Sequence, residues 1–251
     1  MSESVAKTTE ATKVGFFGKL PKHGDFLSRR LPRTFTDPWD RWLQNAIADS
    51  REQLADDWLN IYLTSPLWRF ALSPGLCGDS AWTGILMPSV DRVGRYFPLT
   101  LAAPLTGGCN LMTLAADNES WFDRCEELAL GALQEDYELE AFDLGVEALG
   151  LPTQQDELQA TSKQRATKPA WHFELPSLEG LDIATNNLNQ ALLKKLMPAH
   201  SLWWTHGSEH IEPSLLITEG FPPIEGYAGL LGGNWAVWGW ENFSAQGNST
   251  A

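Results

Sequence analysis

The sequence predicts an α+β domain, a mostly antiparallel sheet with flanking helices. Three short apolar runs, residues 67–72, 81–87 and 96–103, follow one another, separated by Ser73-Pro74-Gly75 and by the loop 88–95, and read as consecutive antiparallel strands. Two long segments with apolar residues at helical spacing lie on either side of them. Strands in one block with helices before and after are the pattern of a sheet with helices packed on it. At 251 residues the chain can bury a large core without covalent staples.

Residues 14–17 form a short β-favouring run after a polar start and predict the first strand. Asp37-Pro38 is expected to open the first helix, with Asp37 as N-cap and Pro38 at the first helical position. Trp39, Trp42, Leu43, Ala46, Ile47, Leu54 and Trp58 give that helix its apolar stripe. Residues 120–140 predict a second long helix, with Asp117 and Asn118 marking its start. Residues 151–169 are rich in Gln, Ser, Thr and Lys and predict a mobile loop or linker. A third helix is expected over 181–196, a strand over 201–205, a short helix over 225–231 and a last strand over 235–240, where W-A-V-W-G-W alternates.

The implied organisation is a disordered tail over 1–13, a core over 14–150, a linker over 151–170, a C-terminal helix and strands over 171–243 packed on the core, and a disordered tail over 244–251. The C-terminal part is expected to extend the sheet or to form a small second lobe. The order is similar to longin- and profilin-like domains, an analogy of fold that carries no function. Most of the 12 tryptophans are expected to fill the core.

A formal charge of −14 argues against nucleic acid, which is bound by neutralising phosphates with Lys and Arg. The charge is uneven. Residues 13–100 nearly balance, with Arg29, Arg30, Arg33, Arg69, Arg92 and Arg95 prominent, whereas the chain beyond Leu101 is strongly acidic. That acidic half is an alternative contact surface for a basic partner. No stretch has the roughly 18 to 20 apolar residues of a membrane span, and the N-terminus lacks an apolar signal region. Cys77, Cys109 and Cys125 have no paired spacing and fit reduced thiols in or near the core of a cytosolic protein. No cofactor is implied.

Polar chemistry concentrates in two runs, 15–25 and 88–98. Ser89, His23 and Asp91 could be written as a hydrolytic triad, but G-x-S-x-G is absent, and a Ser after Pro at a strand end more often bonds nearby backbone. His206-Gly207-Ser208-Glu209-His210 matches H-x-x-E-H, a zinc pattern that requires a helix. Its Gly and Ser predict a hairpin turn instead, so no metal site is expected. Lys19 among glycines lacks the order of a phosphate-binding loop. Arg92 and Arg95 flank Gly94, where a tight turn can aim both guanidiniums outward. Either they tie loops together through acids such as Asp25, Asp40 or Asp79, or they meet a partner. The candidate partner-binding set is Lys19, Lys22, His23, Asp25, Asp91, Arg92 and Arg95.

Those runs also carry a resemblance. G-F-F-G-K-L-P-K-H-G-D-F at 15–26, P-W-D-R-W-L at 38–43, S-P-L-W-R-F-A-L at 65–72 and M-P-S-V-D-R-V-G-R-Y-F-P-L-T at 87–100 resemble, in order, the TagF (also called ImpM) proteins associated with bacterial type VI secretion. The resemblance covers about 14–104, and residues 201–205 and 220–231 are compatible but less specific. It implies a cytoplasmic, non-enzymatic accessory protein of Gram-negative bacteria that restrains the secretion machine after translation. The implied partner is the forkhead-associated scaffold protein of that system. The family assigns no catalytic residues. Some relatives are fused to a PP2C-type phosphatase, whose acidic metal-binding motifs this chain does not supply. The readings held against this one are a structural subunit of the machine and a hydrolase, based on Ser89 or on zinc at His206 and His210.

Overall fold

The computed structural model describes residues 13–105, 108–134, 136–156 and 181–243. Among them the chain runs β1 (Gly15–Gly18), β2 (Leu27–Arg29), α1 (Arg33–Leu54), α2 (Trp58–Thr64), β3 (Trp68–Leu72), β4 (Ala81–Met87), β5 (Leu99–Leu105), α3 (Leu111–Asp117), α4 (Glu119–Gly131), α5 (Leu139–Ala148), α6 (Leu181–Leu196), β6 (His200–Thr205), β7 (Ser214–Glu219) and α7 (Tyr227–Gly232). The strands form one sheet in the order β2-β1-β5-β4-β3-β6-β7, and every neighbouring pair is antiparallel. The predicted α+β class therefore holds. The C-terminal hairpin β6–β7 pairs with β3 and extends the sheet.

Strands β3, β4 and β5 are buried along their whole length. Antiparallel sheets commonly leave one face wet, so their strands alternate; here helices cover both faces and the three strands read as unbroken apolar runs. Phe70 and Leu72 of β3 and Trp82 and Leu86 of β4 face one layer, with Phe35, Trp39, Trp42 and Leu43 of α1 and Leu230 of α7. Ala71, Ile85, Leu99, Leu101 and Ala103 face the other, with Leu114 of α3, Phe122 and Cys125 of α4, and Phe142 of α5. Trp39 stacks parallel to Trp203 of β6 at 5.8 Å, and its Nε1 donates to Thr100 Oγ1 of β5 at 2.9 Å. Tryptophans 39, 42, 58, 68, 82, 121 and 203 are buried, as their use as core fillers requires. The three cysteines are free and buried, and burial pushes the thiols of Cys77 and Cys125 up.

Several boundaries differ from expectation. Helix α1 starts at Arg33, with Pro32 as N-cap, so Asp37 is not the cap and Pro38 lies inside the helix. Burial of Phe35 against Trp39 and Trp82 draws in the extra turn. The expected 120–140 helix ends early, and α5, lying almost wholly beyond residue 140, was not anticipated. Helix α4 ends at Gly131, and Tyr137 enters the core between α4 and α5. The third apolar run enters the sheet at Leu99; Tyr96 pairs instead with Val90 across the preceding loop. Residues 235–240 are not a strand. They coil into a turn in which Trp240 N donates to Trp235 O at 3.0 Å, and Trp240 Nε1 donates to Gly226 O at 2.9 Å. Tryptophans at 235, 238 and 240, spaced by three and two, fit a turn packed on α7 better than the strict alternation of a strand.

The part of the expected linker that is described, 151–156, is tied down: Asn118 Oδ1 accepts Thr153 N at 2.7 Å, and Asn110 N donates to Gln155 O at 2.9 Å. The rest of that segment, and the two expected tails apart from Lys13, lie outside the described residues.

Gly84 of β4 pairs with Ala102 of the neighbouring strand β5. A Cβ there would lie 1.9 Å from Leu101 O and 2.9 Å from Ala102 Cα, both backbone atoms that cannot swing away. Gly84→Ala is expected to cost about 3 kcal/mol, the upper range for overpacking, read as a lowered urea midpoint; an unchanged midpoint would refute this account of the sheet.

Candidate functional site

The run 88–98 folds into a tight hairpin loop between β4 and β5, closed by the Val90–Tyr96 bridge. Asp91 organises it. Its Oδ1 accepts Val93 N at 3.0 Å and Arg95 N at 2.9 Å, the local side-chain turn that Asp supports well. Gly94, at φ +83°, takes the left-handed position that lets the chain reverse. Asp91 Oδ2 accepts Lys19 Nζ at 2.6 Å and Arg95 Nε at 2.7 Å.

Lys19 and Asp91 are both buried. Burial alone would raise the Asp91 carboxyl, but the Lys19 ammonium and the N–H groups of Arg95 and Val93 hold it well below the usual carboxylate range. Lys19 follows β1, so the ion pair joins the two polar runs across 72 residues of chain. Three more bonds reinforce the junction. Ser89 Oγ donates to Lys19 O at 2.8 Å, Arg92 N to His23 O at 3.2 Å, and Arg95 Nη2 to Gly24 O. The Tyr62 hydroxyl accepts Ser89 N and donates to Ser89 O.

Of the seven predicted residues, Lys19, Asp91 and Arg95 thus meet in one cluster, and the acid that holds Arg95 is Asp91 rather than Asp25, Asp40 or Asp79. Lys22 Nζ donates to Tyr137 O at 2.8 Å, and the His23 ring stands edge-on to Tyr137. Arg92 and Asp25 are exposed. Ser89 is buried with its hydroxyl on a backbone carbonyl, an arrangement for bracing a loop rather than for attack.

Residues 206–210 form the irregular β6–β7 connection, as their Gly and Ser predict, with Ser208 N donating to Ile211 O. His206 and His210 are both exposed, and the His206 ring meets Glu119 Oε1 at 3.0 Å. Glu119, Asp123 and His206 converge closely enough to suggest metal ligands. Both carboxylates, however, already flank the buried Arg69 guanidinium, at 2.9 and 2.8 Å, with Glu126 at 2.6 Å. That cation occupies the charge a metal would need. Burial opposes the Arg69 charge, but Glu126 and Glu119 outweigh it and raise its pKa further. The sequence signal for this cluster was available: acids at 119, 123 and 126 fall on one face of a helix, and Arg69 stands alone in an apolar strand.

A second feature was not legible. Arg51, Trp58, Leu59, Gly94, Arg95 and Tyr96 line a cleft of about 430 Å³ beside the hairpin. The Arg51 guanidinium lies 4.3 Å over the Trp58 ring and 6.0 Å from that of Tyr96. Trp58 is fixed by a bond from its Nε1 to Ser50 Oγ at 3.0 Å and by stacking on Tyr62 at 4.7 Å. Two guanidiniums at the mouth of an aromatic cleft can receive a carboxylate or another anion.

The helix-covered antiparallel sheet, with its polar cluster bracing two loops, falls in a class of secretion-associated domains by sequence: the model of the TagF N-terminal domain, described as type VI secretion system-associated, matches residues 15–149. The chain belongs to the TagF family. It is similar to PA0076 of Pseudomonas aeruginosa PAO1, whose crystal structure is 40% identical, with a TM-score of 0.75, over 88% of this chain and 94% of that one. No curated protein matches the chain. No described helix is long and apolar enough to cross a membrane.

Asp91→Asn leaves Lys19 buried without a counter-charge, so a loss of about 3–5 kcal/mol is expected. A carboxylate whose folded pKa lies below its unfolded value stabilises the fold above that unfolded value and loses the contribution as pH falls. The denaturation midpoints of wild type and Asp91→Asn should therefore converge as pH drops below about 4. Parallel midpoints down to about pH 2 would refute the ion pair as a source of stability.

Proposed function

We propose that this TagF-family chain is a non-enzymatic, post-translational repressor of type VI secretion, acting in the cytoplasm by binding the forkhead-associated scaffold protein of the machine. Family membership supports the system. The observation that carries the binding mode is the hairpin itself, a loop braced by buried charge that exposes Arg92 and Val93 and borders the Arg51–Arg95 cleft.

Arginine and aromatic anchors on a rigid support are the usual carriers of binding energy between proteins. Val93 is 63% exposed at the hairpin tip and Leu59 is 41% exposed beside the cleft, so the arginines stand next to apolar contact area. In this reading Lys22, His23, Asp25, Arg92 and Arg95 contribute contacts, whereas Lys19 and Asp91 act from below by holding the loops. A second reading is an assembly subunit of the same machine.

Arg92→Glu reverses an exposed charge and should leave the denaturation midpoint within about 0.5 kcal/mol of wild type, while co-purification of the scaffold protein falls at least about tenfold. Undiminished co-purification would remove the hairpin from the interface. Deleting the gene separates the two roles: secretion should rise if the chain is a repressor and fall if it is an assembly subunit.

A further inference from the structure

Between α4 and α5 lies a groove of about 590 Å³. From α5 it is lined by Ala141, Gly145 and Ala148 beside Phe142, and from α4 by Leu128 and Gly131; Gly145 admits the Leu128 side chain, and the small residues around that contact leave the trough open. Tyr137, also in the wall, is only 8% exposed, yet its hydroxyl is buried without a hydrogen-bond partner among the described residues. An unpaired buried hydroxyl is costly, and such groups in native proteins have reasons. Burial raises the phenol pKa, with Glu140 and Asp143 adding to it, so the group remains a donor at neutral pH.

The rim is acidic: Glu127, Asp136 and Glu138 face a single basic residue, Arg124. An apolar trough with one donor in its wall and carboxylates along its edge is complementary to a segment with apolar side chains, a carbonyl for Tyr137, and Lys or Arg on its flanks.

We propose that the α4–α5 groove is a second docking site, which takes an apolar peptide segment of a partner protein flanked by basic residues. The groove borders the first polar run, since Lys22 and His23 both touch Tyr137, but the proposal does not depend on the scaffold reading. A fatty acid would set its carboxylate against the acidic rim, and a purely basic segment would make no use of the trough.

The test uses the full chain titrated with a short Leu/Lys peptide patterned as an amphipathic helix, with a Leu/Glu peptide and a Ser/Lys peptide of equal charge as controls. The Leu/Lys peptide should bind and both controls should not. Tyr137→Phe removes only the unpaired hydroxyl; it should leave the melting temperature unchanged or higher while weakening the peptide about fivefold. Ala141→Arg, at an exposed wall position, should abolish binding without unfolding the chain. Equal binding of either control, Leu/Lys affinity unchanged in both folded variants, or no binding would overturn the proposal. Self-association of the chain that Ala141→Arg removes would assign the groove to a second copy and overturn it equally.

Discussion

The structure depends on three central strands of an antiparallel sheet that have no wet face. Strands β3, β4 and β5 are covered by α1, α2 and α7 on one side and by α3, α4 and α5 on the other, so every polar group they carry must be satisfied internally. Thr83 donates to Phe70 O at 2.7 Å, Thr100 accepts the Trp39 indole, and Arg69 meets three carboxylates of α4. The same constraint fixes Gly84, because the strands approach too closely for a side chain there. Aromatic residues then set the thickness of the α1 layer, with Trp39, Trp42, Phe70 and Trp203 in mutual contact.

Covering both faces leaves the strand ends as the place where polar chemistry can collect. There the chain buries an ion pair, Lys19–Asp91, that links β1 to the β4–β5 connection. Such a pair contributes modestly to net stability, because desolvation offsets most of the attraction, but breaking it is expensive. Its physical role is therefore to fix the hairpin in one conformation. A loop held this way can present Arg92 and the Arg51–Arg95 cleft without losing much freedom on binding, which is how a charged loop serves as a recognition surface. The α4–α5 groove differs in kind: its walls are small side chains and its rim is acidic, so the two surfaces would select partners of opposite charge.

Legibility followed the range of the physics. The β3–β5 strands were readable because continuous apolar runs report double burial, and α1 because its tryptophans fall on one helical stripe. Helix α5 was missed because only tertiary packing turns the chain at Tyr137 and starts a new helix there, and β7 escaped notice because the alternation of its burial, Leu216 and Thr218 inward and Leu215 and Ile217 outward, is set by its place beside β6. Residues 235–240 show the converse error, a local aromatic pattern that packing on α7 overrides. At the site, Asp91, Gly94 and Arg95 were singled out because a turn with that composition is encoded locally. Arg51 and Trp58 were missed because α1 and α2 bring them to the hairpin from more than 30 residues away.

The sequence by itself determined the α+β class, the core tryptophans, the TagF-type motifs and the two polar runs, since each is written in spacing or in contiguous residues. The tertiary structure decided what those polar residues do. It spent Lys19, Asp91 and part of Arg95 on one another, left Arg92 to solvent, gave the acids of α4 to Arg69 rather than to a metal, and opened the α4–α5 groove. The reason is that burial and charge pairing are properties of the packed chain. A lysine and an aspartate 72 residues apart carry no mark of their partnership until the sheet brings β1 beside β5.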